Sequence, residues 1–291
     1  MNRTDEFAAV RERLHGIAYR MTGSVSDADD IVQEAWLRWS RADRAEIDSV
    51  DAWLVRVTTN LAIDRSRSIA TRRETYVGPY LPEPLVESGS RPADDPATQV
   101  ELCDSLTFAF LVMLDTLEPV ARAVLLLHDV FGYRFDEIAP MVDRSATACR
   151  QIASRTRRRL EADRGVVRHP DGPHQARMLG ELVAALAEGD IERVVTMLSP
   201  DVVVQSDGGP NRHAARRSVL GPHRASRLLV NLAARSLPTM TFELVPSNGL
   251  TALLVRDGDE PFLWLTISCD RNGRIARVWS QLNPDKLRHL R

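Results

Sequence analysis

The residues best equipped for chemistry in this 291-residue chain lie between Arg134 and Leu160. Ser145 is placed to cap a helix, because its hydroxyl can accept from a free amide of the first turn. At 100° per residue, Cys149, Ile152, Ala153, Thr156 and Leu160 then share one face. Thr147, Arg150, Gln151, Ser154, Arg155 and Arg158 share the other, and Arg144 stands just before it. From Arg144 to Leu160 there are six arginines and no acid. The first face can pack closely on a neighbouring helix. The second carries the side chains that hydrogen-bond base edges and phosphates in a duplex major groove. A shorter helix over Phe135–Val142, with small Ala139 at the crossing and a turn at Asp143-Arg144, completes a helix-turn-helix pattern. Asp143 replaces the glycine usual in such turns and can visit the left-handed region, while Pro140 should kink the first helix.

A second group is acidic. In Asp27–Trp39 the residues Ala28, Ile31, Val32, Ala35 and Trp39 form a buried stripe, and Asp27, Asp30 and Glu34 line a separate face. Arg38, four residues after Glu34, is its intrahelical partner. Acids at a helix start complement the dipole, but a stripe that runs on to Glu34 suits docking on a basic partner. A third helix begins near Asp51, with Trp53, Leu54, Val57 and Leu61 apolar and Arg56, Asn60, Arg65 and Arg67 on its other sides.

The net charge of −2 excludes a generally basic coat, so nucleic-acid contact must be local. The three cysteines, Cys103, Cys149 and Cys269, are far apart and indicate neither a disulfide framework nor a metal cluster. No cofactor motif is present. The start has no apolar leader, and no apolar run approaches the eighteen residues a membrane helix needs. A cytoplasmic protein without membrane contact is expected.

The elements that position these groups fall into successive blocks: helical domains over 1–70 and 105–165, a linker over 71–104, and an α+β domain over 174–291. Tyr76–Pro84 cannot be helical, since three prolines remove donors and restrict the residues before them. Its aromatic and apolar residues suggest that it docks on something, and Ser88–Pro96 is polar. Helical periodicity returns near Gln99 through Leu102, Leu106, Phe110 and Leu114, and Ala121–Asp129 follows Pro119. Arg164–Pro173 is the next boundary. Beyond it come helices over Gln175–Ala187, Ile191–Leu198 and His223–Ala234, and a strand over Val202–Ser206. Alternating runs at Thr241–Val245, Leu250–Arg256, Phe262–Cys269 and Arg274–Gln281 are separated by Asn-Gly and Asp-Gly hairpin signals. A curved sheet wrapped over helices, with a pocket inside the cone, is the expected architecture.

The Asp27–Trp39 helix, the Trp53–Arg65 helix and the Arg134–Leu160 motif resemble extracytoplasmic-function sigma factors of bacteria. The C-terminal part resembles a SnoaL-like cone, and the whole chain is similar to the sigma subgroup that carries this extension. The linker Tyr76–Pro84 and Asn283-Pro-Asp-Lys-Leu287 support that subgroup. The resemblance implies that Asp27, Asp30 and Glu34 dock on the clamp helices of the largest subunit of core RNA polymerase. It implies that Arg56, Asn60, Arg65 and Arg67 meet the melted minus-ten promoter element. Arg144, Thr147, Arg150, Gln151, Ser154, Arg155 and Arg158 would read the minus-thirty-five element. No catalytic residue belongs to the family, because the polymerase performs the chemistry. The C-terminal domain would regulate in cis through Tyr76, Gly78, Pro79, Tyr80 and Pro82 of the linker. Its own contribution would come from Asp207, Gly208 and Gly209 and from the tail Asn283, Pro284, Asp285, Lys286 and Leu287. Pro210 stands where the subgroup commonly has a third glycine. A small ligand of unknown identity in the cone is a further expectation.

Two other readings compete. A ligand-responsive helix-turn-helix regulator explains the motif and the pocketed domain, but not the acidic helix and its Trp-containing successor. A cyclase- or isomerase-like enzyme would use Asp207, His213 or His223 to move a proton. Those residues sit beside Gly and Pro in turn-like contexts without an acid/base spacing.

Overall fold

The computed structural model describes residues 2–86, 107–164, 172–235 and 239–290. The expected helix start near Gln99 with Leu102, Cys103 and Leu106, the stretch Ser88–Pro96, and residues 165–171 of the expected boundary lie outside them. The chain divides into two units, one of residues 1–75 and 111–161 and one of 76–110 and 162–291.

In the first unit, three helices follow from capped starts. Helix α1 spans Arg3–Thr22, with Asn2 accepting from the amides of Thr4 and Asp5. Ser24 caps α2, Val25–Arg41, which buries Ala28, Ile31, Val32, Ala35 and Trp39 as the periodicity requires. Ser49 caps α3, Val50–Arg73. Its most buried side chains are Leu54, Val55, Ala62, Ile63 and Ile69, so Trp53, Val57 and Leu61 lie at the margin of the core. The second helical group comprises α4 (Phe108–Leu114), whose first three residues belong to the second unit, with α5 (Pro119–Leu125), α6 (Phe135–Met141) and α7 (Ala146–Arg164). Pro119 opens α5 at a position where its missing N–H costs nothing, and α5 runs into a π-helical turn over Leu126–Val130. Pro140 falls in the last turn of α6, which ends one residue later, so its break and the end of the helix coincide. Asp143 takes φ +53°, the left-handed turn the sequence called for.

The two helical groups of this unit are joined through a buried arginine. Arg122 of α5 is 5% exposed and donates to the Met21 carbonyl at the end of α1. It also meets Asp115 at 3.2 Å, and the other oxygen of Asp115 takes Arg73 of α3 at 2.9 Å.

The second unit is a six-stranded sheet with helices on one face. Its helices are α8 (Gly172–Glu188), α9 (Ile191–Met197), α10 (Pro222–Ala233) and the short α11 (Pro284–Leu287). Its strands are β1 (Leu198–Asp207), β2 (Val219–Leu220), β3 (Met240–Ser247), β4 (Leu250–Asp257), β5 (Glu260–Cys269) and β6 (Ile275–Gln281). They lie in the order β2-β1-β6-β5-β4-β3. Strands β3 to β6 form the antiparallel meander that the hairpin signals imply, whereas β1 joins β6 in parallel.

Strand alternation gives the sheet two different faces. Val204, Val278 and Ile267 are register partners on one face, and with Leu253, Val255 and Leu265 they form the core against Leu179, Leu182, Val194, Ala225 and Leu229 of the helices. On the opposite face, Asp207 pairs with Gln281, Gln281 with Trp264, and Trp264 with Leu254, while Gln205 pairs with Trp279. Helix α8 reaches that face through Gln175, which donates to the Thr251 carbonyl at 2.7 Å and meets the Thr266 hydroxyl; the linker covers the part around Asp207 and Gln281.

Candidate nucleic-acid interface and the buried linker site

Helix α7 presents the expected two faces. Cys149 and Ala153 are fully buried, and Thr156 and Leu160 nearly so. Ser145 accepts from the Ala148 amide at 3.1 Å, which fixes the start of the helix. Arg144, Thr147, Arg150, Gln151, Ser154, Arg155 and Arg158 are all exposed. Arg150, Gln151, Ser154, Arg155 and Arg158 line one continuous surface groove. Arg157 departs from them, because its guanidinium pairs with Asp129 and serves the fold. The exposed arginines and amide, without a carboxylate among the groove residues, can meet phosphates and base edges.

The acidic stripe of α2 is less uniform than its spacing suggests. Asp27 pairs with Arg65 of α3 at 2.7 Å, and Asp30 meets the same guanidinium at 3.3 Å. Glu34 and Arg38 form the expected pair at 2.9 Å. Asp30 and Glu34 remain well exposed, while the Asp27 side chain is 15% exposed. Arg56, Asn60 and Arg67 share an exposed stripe of α3. Arg65 lies half a turn away from them and pairs with the α2 acids.

The linker and the tail meet at Asp207. This carboxylate is fully buried, yet four donors surround it. The Tyr76 hydroxyl donates to Oδ1 at 2.5 Å and the Gly209 amide at 3.0 Å. The Leu81 amide donates to Oδ2 at 2.9 Å and Lys286 Nζ at 2.8 Å. Those donors match the lone-pair capacity of an ionised carboxylate. Lys286, 6% exposed, also donates to the Leu81 carbonyl at 2.6 Å and stands 3.2 Å from the centre of the Tyr80 ring. A buried ammonium is tolerable there because a carboxylate, a carbonyl and a π-face replace water. Asn283 caps α11 and donates to the Tyr76 hydroxyl at 2.8 Å. Burial first, and the Asp207 carboxylate second, push the Tyr76 phenol well above its usual range.

Proline chemistry explains how the rest of the linker is held. Pro82 and Pro84 offer only acceptors from their main chains, and side chains of the second unit meet those carbonyls. Gln281 donates to the Pro82 carbonyl at 3.1 Å, and the His289 ring nitrogen lies 2.6 Å from that of Pro84. The Leu85 amide donates to Asn248 Oδ1 at 3.0 Å, and the Leu85 carbonyl accepts from Ser247 and the Asn248 amide. Val86 then forms a single antiparallel bridge with Ser247. After the undescribed residues the chain returns to this face at Phe108, whose ring lies 4.6 Å from that of Trp264 and 5.9 Å from that of Trp279. About 10 Å³ remains between Phe108 and the sheet, room for at most one water. The small-ligand expectation finds no space at that place.

The other expected linker and tail residues are placed around this centre. Gly78 packs near Arg216, and a Cβ on Gly209 (φ +58°) would lie 2.6 Å from Asn283 Nδ2. Pro79 is partly buried, Pro284 opens α11, and Leu287 is fully buried. Asp285 is the exception, facing outward towards Arg288. The proposed proton movers are not gathered: Asp207 is occupied by its four donors, and His213 and His223 are exposed. Sequence reasoning missed Gln281, Asn248 and His289 as linker holders and Arg122 as the buried tie of the first unit. A lone arginine in the apolar run Ala121–Leu127 was the available signal for the last.

Residues 7–73 match the sigma-70 region 2 family, and residues 107–160 match sigma-70 region 4. Over 97% of its length the chain is 38% identical to the ECF RNA polymerase sigma factor SigJ of Mycobacterium tuberculosis, of which it covers 92%. A probable ECF RNA polymerase sigma factor of that organism, SigI, is 34% identical over 68% of this chain and 68% of its own length. The crystal structure of the M. tuberculosis extracytoplasmic function sigma factor SigJ superposes with a TM-score of 0.74 at 34% identity, covering 98% of both chains.

Proposed function

The chain belongs to the extracytoplasmic-function RNA polymerase sigma factors, and from that premise we propose that its SnoaL-like C-terminal domain sets its promoter output by holding the linker. An alternative sigma factor directs transcription, so the parts that meet polymerase and promoter must be accessible. Asp30 and Glu34, with Asp27 behind them, dock on the clamp helices of the largest polymerase subunit. Arg56, Asn60 and Arg67 follow the melted minus-ten strand, where a basic track and nearby aromatic rings suit single-stranded DNA. The groove from Arg150 to Arg158 reads the minus-thirty-five element in the major groove. The polymerase, not this chain, carries out catalysis, and both work in the cytoplasm.

One observation carries the regulatory reading: a connector between two DNA-reading regions is bound through a buried ion pair rather than left in solvent. A connector needs no such site to span a distance. A few kcal/mol of differential contact shifts a two-state population by orders of magnitude, and removing one partner of a buried pair costs about 3–5 kcal/mol. Run-off transcription with core polymerase, comparing the full chain with Asp207→Asn and Tyr76→Phe, tests the reading. Promoter- and core-dependent transcripts whose yield differs between these proteins are expected. Transcripts of equal yield would remove the regulatory role, and DNA binding without any core-dependent transcript would favour the simple regulator.

A further inference from the structure

A cavity of about 120 Å³ opens where the end of β1 and the loop after it meet the first residues of the linker. Its walls include Val77 and Gly78 on one side and residues 208–216 on the other, with Ser206 also bordering it. We propose that this cavity binds a small oxoanion, a phosphate or a carboxylate, between Arg212, Arg216 and the Ser206 hydroxyl.

Charge is the first reason. Arg212, His213 and Arg216 are among the lining residues, and no acid is. Asp207, adjacent in sequence to the lining residues, is turned into the linker site and paired there with Lys286. Neither Arg212 nor Arg216 has a carboxylate partner among the described residues. Two arginines without carboxylate partners bordering one small hollow raise the local potential for anions. Arg212 is also held in place: its guanidinium lies 4.3 Å from the centre of the Phe262 ring, a stacking that leaves the edge N–H groups available.

Ser206 supplies the second, independent reason. The residue is 2% exposed, and its hydroxyl is buried without a hydrogen-bond partner among the described residues. An unsatisfied buried hydroxyl costs free energy unless something binds it. A ligand oxygen in the adjoining cavity would satisfy it. The glycines keep that space open and the loop close: a Cβ at position 208 would lie 2.5 Å from the Arg212 carbonyl oxygen and 2.7 Å from Ala214 Cβ. The small volume excludes a nucleotide or a nucleic-acid strand and selects an ion of a few heavy atoms. The proposal stands whether or not the linker regulates transcription.

Calorimetric titration of the full-length protein tests it, with inorganic phosphate and acetate as probes against chloride at constant ionic strength. Saturable one-to-one binding of phosphate or acetate is expected, and the anion preferred assigns the class. Binding should weaken by roughly tenfold or more in Arg216→Gln and in Arg212→Gln, the size of one lost charge-assisted hydrogen bond. Ser206→Ala should weaken it measurably. A combined Arg150→Gln, Arg155→Gln variant on the α7 groove should bind as the natural chain does. If Arg212→Gln disturbs folding through Phe262, the exposed Arg216 and the small Ser206 change decide the matter. Absence of saturable binding, unchanged affinity in Arg216→Gln, or loss of binding in the α7 variant would each overturn the proposal.

Discussion

Arg150, Gln151, Ser154, Arg155 and Arg158 stand in solvent along α7, whereas Asp207, Asn283 and Lys286, with the Tyr76 hydroxyl, turn their polar atoms on one another. Both groups were conspicuous in the sequence, and both are rich in hydrogen-bonding capacity. The difference lies in where that capacity is spent. On α7 the packing contacts are made by Cys149, Ala153 and Leu160, so the outward residues contribute little to stability and are available to a duplex. At the linker site the polar groups are the packing, and their loss is felt by the fold. A surface of the first kind is open to an outside partner; a centre of the second kind holds distant segments of the same chain together.

Removing one member of the buried pair is the strongest way to break this comparison. Lys286→Met leaves the Asp207 carboxylate buried without its cation and should destabilise the sheet unit by about 3–5 kcal/mol in urea unfolding. Arg158→Ala, on the exposed groove, should change the same measurement by no more than about 0.5 kcal/mol. Equal effects would mean that the two sites do not differ as described.

The promoter side sharpens the comparison in the opposite sense. Arg150→Ala should lose about 1–3 kcal/mol at one or two promoter positions, whereas Arg158→Ala should weaken all promoters evenly and reduce the salt slope by about one. Binding measurements over a set of single-base promoter variants distinguish these patterns. If both substitutions act evenly, α7 holds phosphates without reading bases.

Reversing Asp30 and Glu34 to Arg should prevent co-purification with core polymerase while shifting the unfolding midpoint little, since exposed ion pairs contribute about 0–1 kcal/mol. Retained core binding would move the docking surface elsewhere. The smallest effect concerns pH. Tyr76 is protonated in the folded chain well above its ordinary range, so its stabilising contribution is complete below the unfolded phenol value and is lost as pH rises beyond it. Above about pH 10, stability should therefore fall more steeply in the natural chain than in Tyr76→Phe. Parallel alkaline slopes would show that the phenol titrates alike folded and unfolded.

Much of this organisation was legible because it depends on local rules. The buried stripe of α2, the two faces of α7 and the left-handed turn at Asp143 follow from periodicity and backbone sterics. The antiparallel strands β3 to β6 follow from alternation and hairpin dipeptides. What escaped was set by distant partners. The parallel pairing of β1 with β6 joins segments about seventy residues apart, and two-residue β2 carries too little pattern to be seen. Arg65 looked like its exposed neighbours, but the third dimension places it against Asp27 and Asp30. Lys286 and Asp207 were each singled out, yet no spacing rule could pair them across 79 residues. The single lysine in a chain of arginines was the hint, since a compact ammonium can sit against a ring face and a carboxylate where a guanidinium fork would not fit.

The central claim, that the buried site governs promoter output through the linker, is tested most directly by one paired measurement on Lys286→Met. Hydrogen exchange at the Leu81 and Leu85 amides reports whether the linker has left its site, because these amides donate to Asp207 and Asn248. Run-off transcription from a cognate promoter at saturating core polymerase reports the output of the same preparation. Faster exchange at both amides accompanied by a changed transcript yield is the predicted result. Faster exchange with an unchanged yield would contradict the account.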